Sequence, residues 1–205
     1  GLVLGQNGFH YVGLSLESLL GLRLMNVEEK LKTLPYIKTA KAQFVLPDSV
    51  RISLTERAPA AYMVYLDNFL LVDEEGYILE TTSQKPDKDL KEIRGIDFSM
   101  YSLGKKLEAG DAEEIKMAVA VFNAISLADK DSELLLWEDV DWVDMVDRYN
   151  AILSLDNRIV VRFNPTLNLQ YTINFAKEIY FKKINASERG RLEFMQNQKP
   201  SFIPE

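Results

Sequence analysis

Apolar residues recur along this chain with two different periods, and the changes of period mark its elements. Residues 14–24 are leucine-rich; beyond them Val27, Leu31 and Leu34 share a helical face, while Glu28, Lys30 and Lys32 lie elsewhere. The spacing predicts an amphipathic helix capped by Asn26, with Glu29 three residues on, and stopped by Pro35, which lacks the N–H of the next turn. The period then becomes two. Ala40, Ala42, Phe44 and Leu46 alternate with Lys41 and Gln43, Pro47-Asp48-Ser49 turns the chain, and Val50, Ile52 and Leu54 alternate with Arg51, Ser53 and Thr55. That pattern predicts a β-hairpin with one buried face, packed beneath the helix as a second layer.

Past Pro59, strands are expected at residues 61–66, 69–72 and 77–80, separated by the turn clusters Asp67-Asn68 and Asp73-Glu74-Glu75-Gly76. Residues 83–89 are polar and read as a loop. Asp111 and Glu114 open a second helix, with Ile115, Val119 and Phe122 on one face. Val140 and Trp142 then alternate with Asp139 and Asp141, and two strands come next around Asp156-Asn157: Ala151, Leu153 and Leu155, then Ile159, Val161 and Phe163. Asn164-Pro165 stops them. A third helix is expected over 168–184, facing inward with Leu169, Ile173, Ala176 and Tyr180. A last strand at 191–195 carries Leu192 and Phe194 inward, and the tail 199–205, with Pro200 and Pro204, is excluded from any sheet interior.

Composition narrows the chemistry. In 205 residues, 47% are hydrophobic and 27% charged, an ordinary globular balance. No apolar run reaches the roughly 18 residues of a membrane span. The net charge of −7, without a basic patch, argues against a nucleic-acid partner. Cysteine is absent, so thiolate metal sites and cysteine nucleophiles are out, and the single histidine, His10, has no Ser or Asp motif around it. Nucleotide loops and the serine-hydrolase elbow do not occur. The acids Glu138, Asp139, Asp141, Asp144 and Asp147 lack the spacing of a calcium loop and read as a solvated face. Trp137 and Trp142 read as core filling or sheet shielding rather than a sugar platform. No catalytic residue, metal ligand or cofactor site is expected. The chain starts at Gly1 rather than Met, so a fragment is expected.

Three stretches resemble the extracytoplasmic region of the FtsQ/DivIB bacterial division proteins. Leu34-Pro35-Tyr36-Ile37-Lys38-Thr39-Ala40, followed by Leu46-Pro47-Asp48-Ser49-Val50-Arg51-Ile52, is similar to the family's L-P-x-V-x-x-A and P-x-T-L-x-I run. Glu56-Arg57-Ala58-Pro59-Ala60-Ala61 resembles the E-R-x-P-x-A that closes its POTRA domain, and the run from Leu71 to Leu79 resembles L-I-D-x-x-G-x-V-L, which opens its β domain. Further on, Ile93-Arg94-Gly95-Ile96, residues 102–110, residues 157–163 and Gly190-Arg191-Leu192-Glu193-Phe194 are similar to later segments in the right order. The chain departs from the pattern at Asn164-Pro165, where a glycine is usual, and at Tyr171, where a lysine is common.

The resemblance implies an α+β fold. A small POTRA domain, helices on a short sheet, would occupy 1–60, and a larger, mainly antiparallel β domain with two helices would occupy 61–205. It implies a non-enzymatic scaffold that binds FtsL-like and DivIC/FtsB-like proteins, with septal synthase proteins as further contacts, and so regulates septal wall synthesis. The place implied is the outer side of the plasma membrane at the septum, with a single-pass anchor upstream. The partner would add a strand to an edge at 191–195, met by Arg191, Glu193, Met195 and Gln196. Glu56, Arg57 and Pro59 would fix the domain junction. Two alternatives are a wall-glycan hydrolase with paired carboxylates and a POTRA module of an outer-membrane or secretion system.

Overall fold

The computed structural model describes residues 2–5, 8–11, 16–194 and 200–205. The chain divides into two compact units, Gly1–Arg57 and Ala58–Glu205. In the first, β1 (Leu2–Gly5) and β2 (Gly8–Tyr11) form an antiparallel pair, followed by α1 (Leu16–Lys32). Strands β3 (Ile37–Val45) and β4 (Ser49–Glu56) form a second antiparallel pair, and α1 packs on β3.

Two expectations about this unit are corrected. Asn26 does not cap a helix; it lies inside α1, which starts ten residues earlier at Leu16. The side of α1 that meets β3 includes Glu28, whose Oε1 accepts the Ala42 N–H at 2.6 Å, while Val27 and Leu34 are exposed. The hairpin also lacks the buried face its alternation promised. Ala40 is buried, but Val50, Ile52 and Leu54 are each 47% exposed, because the helix covers β3 and leaves β4 bare.

The second unit contains the strands that the spacing predicted and two that it did not, at 92–94 and 201–204. Its elements are β5 (Ala61–Tyr65), β6 (Asn68–Val72), β7 (Ile78–Thr82), β8 (Glu92–Arg94), α2 (Ala109–Asp129), α3 (Leu136–Asp139), β9 (Val140–Asp147), β10 (Asn150–Leu155), β11 (Ile159–Phe163), α4 (Leu169–Lys182), β12 (Gly190–Glu193) and β13 (Ser201–Pro204). Its strands join into one nine-stranded sheet in the order β13-β12-β11-β10-β9-β8-β5-β6-β7. Most neighbours are antiparallel; β11–β12, β5–β8 and β8–β9 are parallel. The fold is α+β.

One core joins the sheet to its helices. Ile115, Val119 and Phe122 of α2 and Ile173, Ala176 and Tyr180 of α4 are all buried, the faces that the helical spacing selected. They share a cluster with Met63, Val143, Leu153, Val161 and Leu192. The Asp73-Glu74-Glu75-Gly76 cluster forms a tight turn. Asp73 is buried, and its Oδ1 accepts the N–H groups of Glu75 at 2.9 Å and Tyr77 at 2.8 Å. Gly76 holds a φ of +85°, and a Cβ there would press on Ala112 of α2 at 3.0 Å.

Strand β9 corrects the expected alternation. Leu155 pairs with Val140 but Ser154 pairs with Trp142, so a bulge absorbs Asp141 and reverses the facing of the later residues of the strand. Val140, Val143 and Met145 are buried, whereas Trp142 lies on the opposite face. Asp141 holds the bulge by accepting from the Ser154 hydroxyl at 2.8 Å and the Asn157 N–H at 2.7 Å.

Candidate functional site

The C-terminal rim of the sheet is built from the inside outward. Strand β12 runs parallel to β11: the Gly190 N–H donates to the Arg158 carbonyl at 3.1 Å and the Phe194 N–H to the Arg162 carbonyl at 2.9 Å. Backbone groups alternate sides along a strand, so 190, 192 and 194 face β11, and 191 and 193 face the other way. That second side is not open. Strand β13 pairs with it antiparallel, Arg191 opposite Ile203 and Glu193 opposite Ser201.

The expected edge at 191–195 is therefore displaced by one strand, and β13 is the outermost. Proline in the tail led to the wrong inference, for it bars a strand from the interior of a sheet and not from its border. The Glu205 N–H donates to the Arg189 carbonyl at 3.0 Å. By the same alternation, Ser201 and Ile203 turn their backbone groups to β12, and Phe202 and Pro204 turn theirs away from it.

The side chains on the two faces differ. On the core face Leu192 is buried opposite Phe202, and the chain continues through Phe194 into an aromatic series. Phe194 meets Phe175 of α4 edge-on at 6.2 Å, and Phe175 stacks on Tyr171 at 5.8 Å; Tyr171 is 62% exposed. On the other face the Arg191 Nε lies 3.0 Å from the Glu193 Oε1. Arg191 is exposed, as expected, but Glu193 is only 9% exposed and serves mainly to hold the arginine. The pair is lopsided, Arg191 half exposed and Glu193 nearly buried, so Arg191 can keep Glu193 through Nε and offer its remaining N–H donors to another acceptor. Met195 and Gln196 lie outside the described residues.

Residues that the sequence reading passed over hold the rim in place. Arg158 donates through Nη1 to the carbonyls of Asn185 and Glu188, both at 3.2 Å, and through Nε to Asp156 at 3.0 Å. Its guanidinium sits over the Tyr180 ring, 4.8 Å from the centroid. The Tyr180 phenol pKa is pushed up to about 12, first by burial and then by the charge of Asp139, so the hydroxyl stays protonated. This cluster ties the 185–188 loop to α4 just before β12. Gly190 has a φ of +155°, and a Cβ there would run into the Ile203 carbonyl; β13 approaches because that side chain is missing.

The remaining expected positions lie elsewhere. Glu56 ends β4, Arg57 comes directly after it and donates its N–H to the Tyr36 carbonyl at 2.7 Å within the first unit, and Pro59 belongs to the second unit. Of the acids of 138–147, Asp141 holds the bulge and Asp147 a turn, where it accepts the Tyr149 N–H at 2.7 Å and Asn150 Nδ2 at 2.7 Å. A cleft of about 690 Å³ opens beside Tyr62, Lys91, Arg94, Trp137 and Trp142. Two of its cations already cap its indoles, Arg94 over Trp142 at 4.5 Å and Lys91 over Trp137 at 5.3 Å. Burial lowers the Lys91 pKa, with the nearby carboxylates opposing.

Residues 13–57 match the model of the FtsQ-type POTRA domain. The DivIB cell division protein of Clostridium tetani is 30% identical over 180 residues, which cover 82% of this chain and 65% of that protein. The chain belongs to the FtsQ/DivIB family. The FtsQ cell division protein of Corynebacterium glutamicum is 26% identical over 124 residues, covering 60% of this chain and 48% of the relative. This FtsQ/DivIB chain thus spans about half to two thirds of the length of those two relatives. A solved structure of the major extracytoplasmic domain of DivIB from Geobacillus stearothermophilus aligns at 13% identity and a TM-score of 0.38, over 64% of this chain and 99% of that one. Among the described residues of this family member, no helix is long and apolar enough to cross a membrane.

Proposed function

We propose that this FtsQ/DivIB chain is a non-enzymatic scaffold of the division machinery. It acts on the outer side of the bacterial plasma membrane at the septum and binds FtsL-like and DivIC/FtsB-like proteins, and through them influences septal wall synthesis. The observation that carries this reading is the C-terminal rim: a sheet ending in the short strand β13, with an exposed arginine on one face and an aromatic series on the other. A sheet border offers backbone groups for affinity and neighbouring side chains for choice of partner. Arg191 suits a carboxylate on the incoming segment, while Tyr171 and Phe175 suit an apolar residue on its other side.

The test is calorimetry of this chain against the extracytoplasmic segments of the FtsL-like and DivIC/FtsB-like proteins of the same organism. At least one segment is expected to bind, and Arg191→Glu is expected to weaken it about fivefold or more. The same reversal at Lys116, half-buried on α2 and paired with its helical neighbour Glu113, should leave affinity unchanged. Failure of both segments to bind, or equal losses from the two reversals, defeats the reading.

A further inference from the structure

The outer border of β13 is poor in donors. Of the residues that turn their backbone away from β12, Phe202 offers an N–H and a carbonyl, and Pro204 offers a carbonyl alone. The position just before the strand is Pro200, which also has no N–H. Among the described residues no strand pairs with this border. It therefore presents a row of acceptors with Phe202 as the donor at its centre. We propose that this border is proline-gated: it takes an extended segment of a different polypeptide that brings its own N–H donors, with register fixed by Phe202, and it disfavours a second copy of itself.

The gating comes from counting bonds in the two possible pairs. An antiparallel partner without proline exchanges both bonds with Phe202 and can also donate to the carbonyl of Pro204. A second copy of β13 laid antiparallel over the first also exchanges the Phe202 pair. Beyond it, Pro200 meets Pro204, carbonyl against carbonyl with no hydrogen between them. Proline on an exposed border is a known way to prevent sheets from joining edge to edge. Here it acts selectively, since it removes donors from this chain and leaves its acceptors intact. The single donor also sets alignment, because a partner slipped by two residues would place its own exchanging pair against a proline. One residue of slip would present the wrong face to Arg191 and the aromatic series.

This inference deepens the scaffold reading and rests on it for the partner, so the experiment has one arm that needs a partner and one that does not. In the first, Phe202 is replaced by phenyllactic acid, which keeps the ring and deletes the N–H. Binding of the DivIC/FtsB-like segment is expected to weaken about two- to tenfold, the range for one backbone hydrogen bond. Thermal unfolding is followed alongside, with Gly190→Ala as the reference for a detached β13. In the second arm, Pro200→Ala combined with Pro204→Ala restores the missing donors. Sedimentation should then show self-association at least tenfold stronger than in the parent chain. Parental affinity in the Phe202 variant, or unchanged self-association in the double variant, overturns the gate. If the segment does not bind even the parent chain, the scaffold reading fails, and sedimentation alone decides the gate.

Discussion

Asp73 shows how much one side chain organises here. Its carboxylate is buried and receives two backbone N–H groups, closing the turn that carries Gly76 against α2. Asp73→Ala leaves both donors without their acceptor and is expected to cost about 2–4 kcal/mol in urea unfolding, at about 1–3 kcal/mol per orphaned group, less whatever water recovers. Asp73→Asn keeps an oxygen in place and should cost less than half as much. This residue was legible in the sequence, because an aspartate three residues ahead of a glycine between apolar runs is a turn signature. Arg158 was not. It lies in the turn just before β11, and nothing local announces that its guanidinium will reach carbonyls at Asn185 and Glu188, 27 and 30 residues away. Gly190 was equally silent, since its requirement comes from β13, a strand the pattern had not supplied.

At the scale of elements, the regular periods of the second unit were read correctly, while the burial of the β3–β4 hairpin, the start of α1 and the bulge in β9 were not. Helices α2 and α4 buried the faces their spacing selected, for each has a full apolar stripe and a large sheet beneath it. Helix α1 was misplaced because its leucine-rich start gave no single stripe, and the Asn26-Glu29 pair imitated a cap inside a continuing helix. The bulge in β9 was missed because Val140, Asp141 and Trp142 alternate, and the apolar doublet Trp142-Val143 that breaks the alternation does not by itself say which residue is inserted. The junction of α2, α3 and α4 depends on Asp129. It lies 2.6 Å from the Lys177 Nζ, and also accepts the N–H groups of Leu136 at 3.0 Å and Trp137 at 2.8 Å. Both members of the ion pair are nearly buried, Lys177 at 12% and Asp129 at 9% exposure. Removing one partner of such a pair leaves the other charge uncompensated, so Asp129→Ala should destabilise the second unit by about 3–5 kcal/mol in denaturant unfolding. Lys177→Met, which removes the charge but keeps the length, should cost less in the same measurement.

For the whole molecule, the sheet order decides what is outside and what is inside, and it was only partly readable. The strands and helices with a clear period came from spacing, but β1, β2, β8, β13 and α3 did not, and the parallel placements of β8 and β12 come from crossovers that leave no local trace. The last strand was missed because two prolines in seven residues look like an unstructured end. Strand β8 has a mechanical consequence. It has three residues, and within the sheet it splices the β5–β7 meander to the β9–β13 ladder, touching β5 through the single pairing of Tyr62 with Glu92. Tension applied between Ala58 and β13 must cross the sheet at that splice, where few bonds share the load. Optical-trap pulling between these points should first rupture the seam beside β8, with α2 still bridging the halves beneath, before either half unravels. Rupture beginning instead at β13 would mean that the rim, not the splice, is the fuse of the fold.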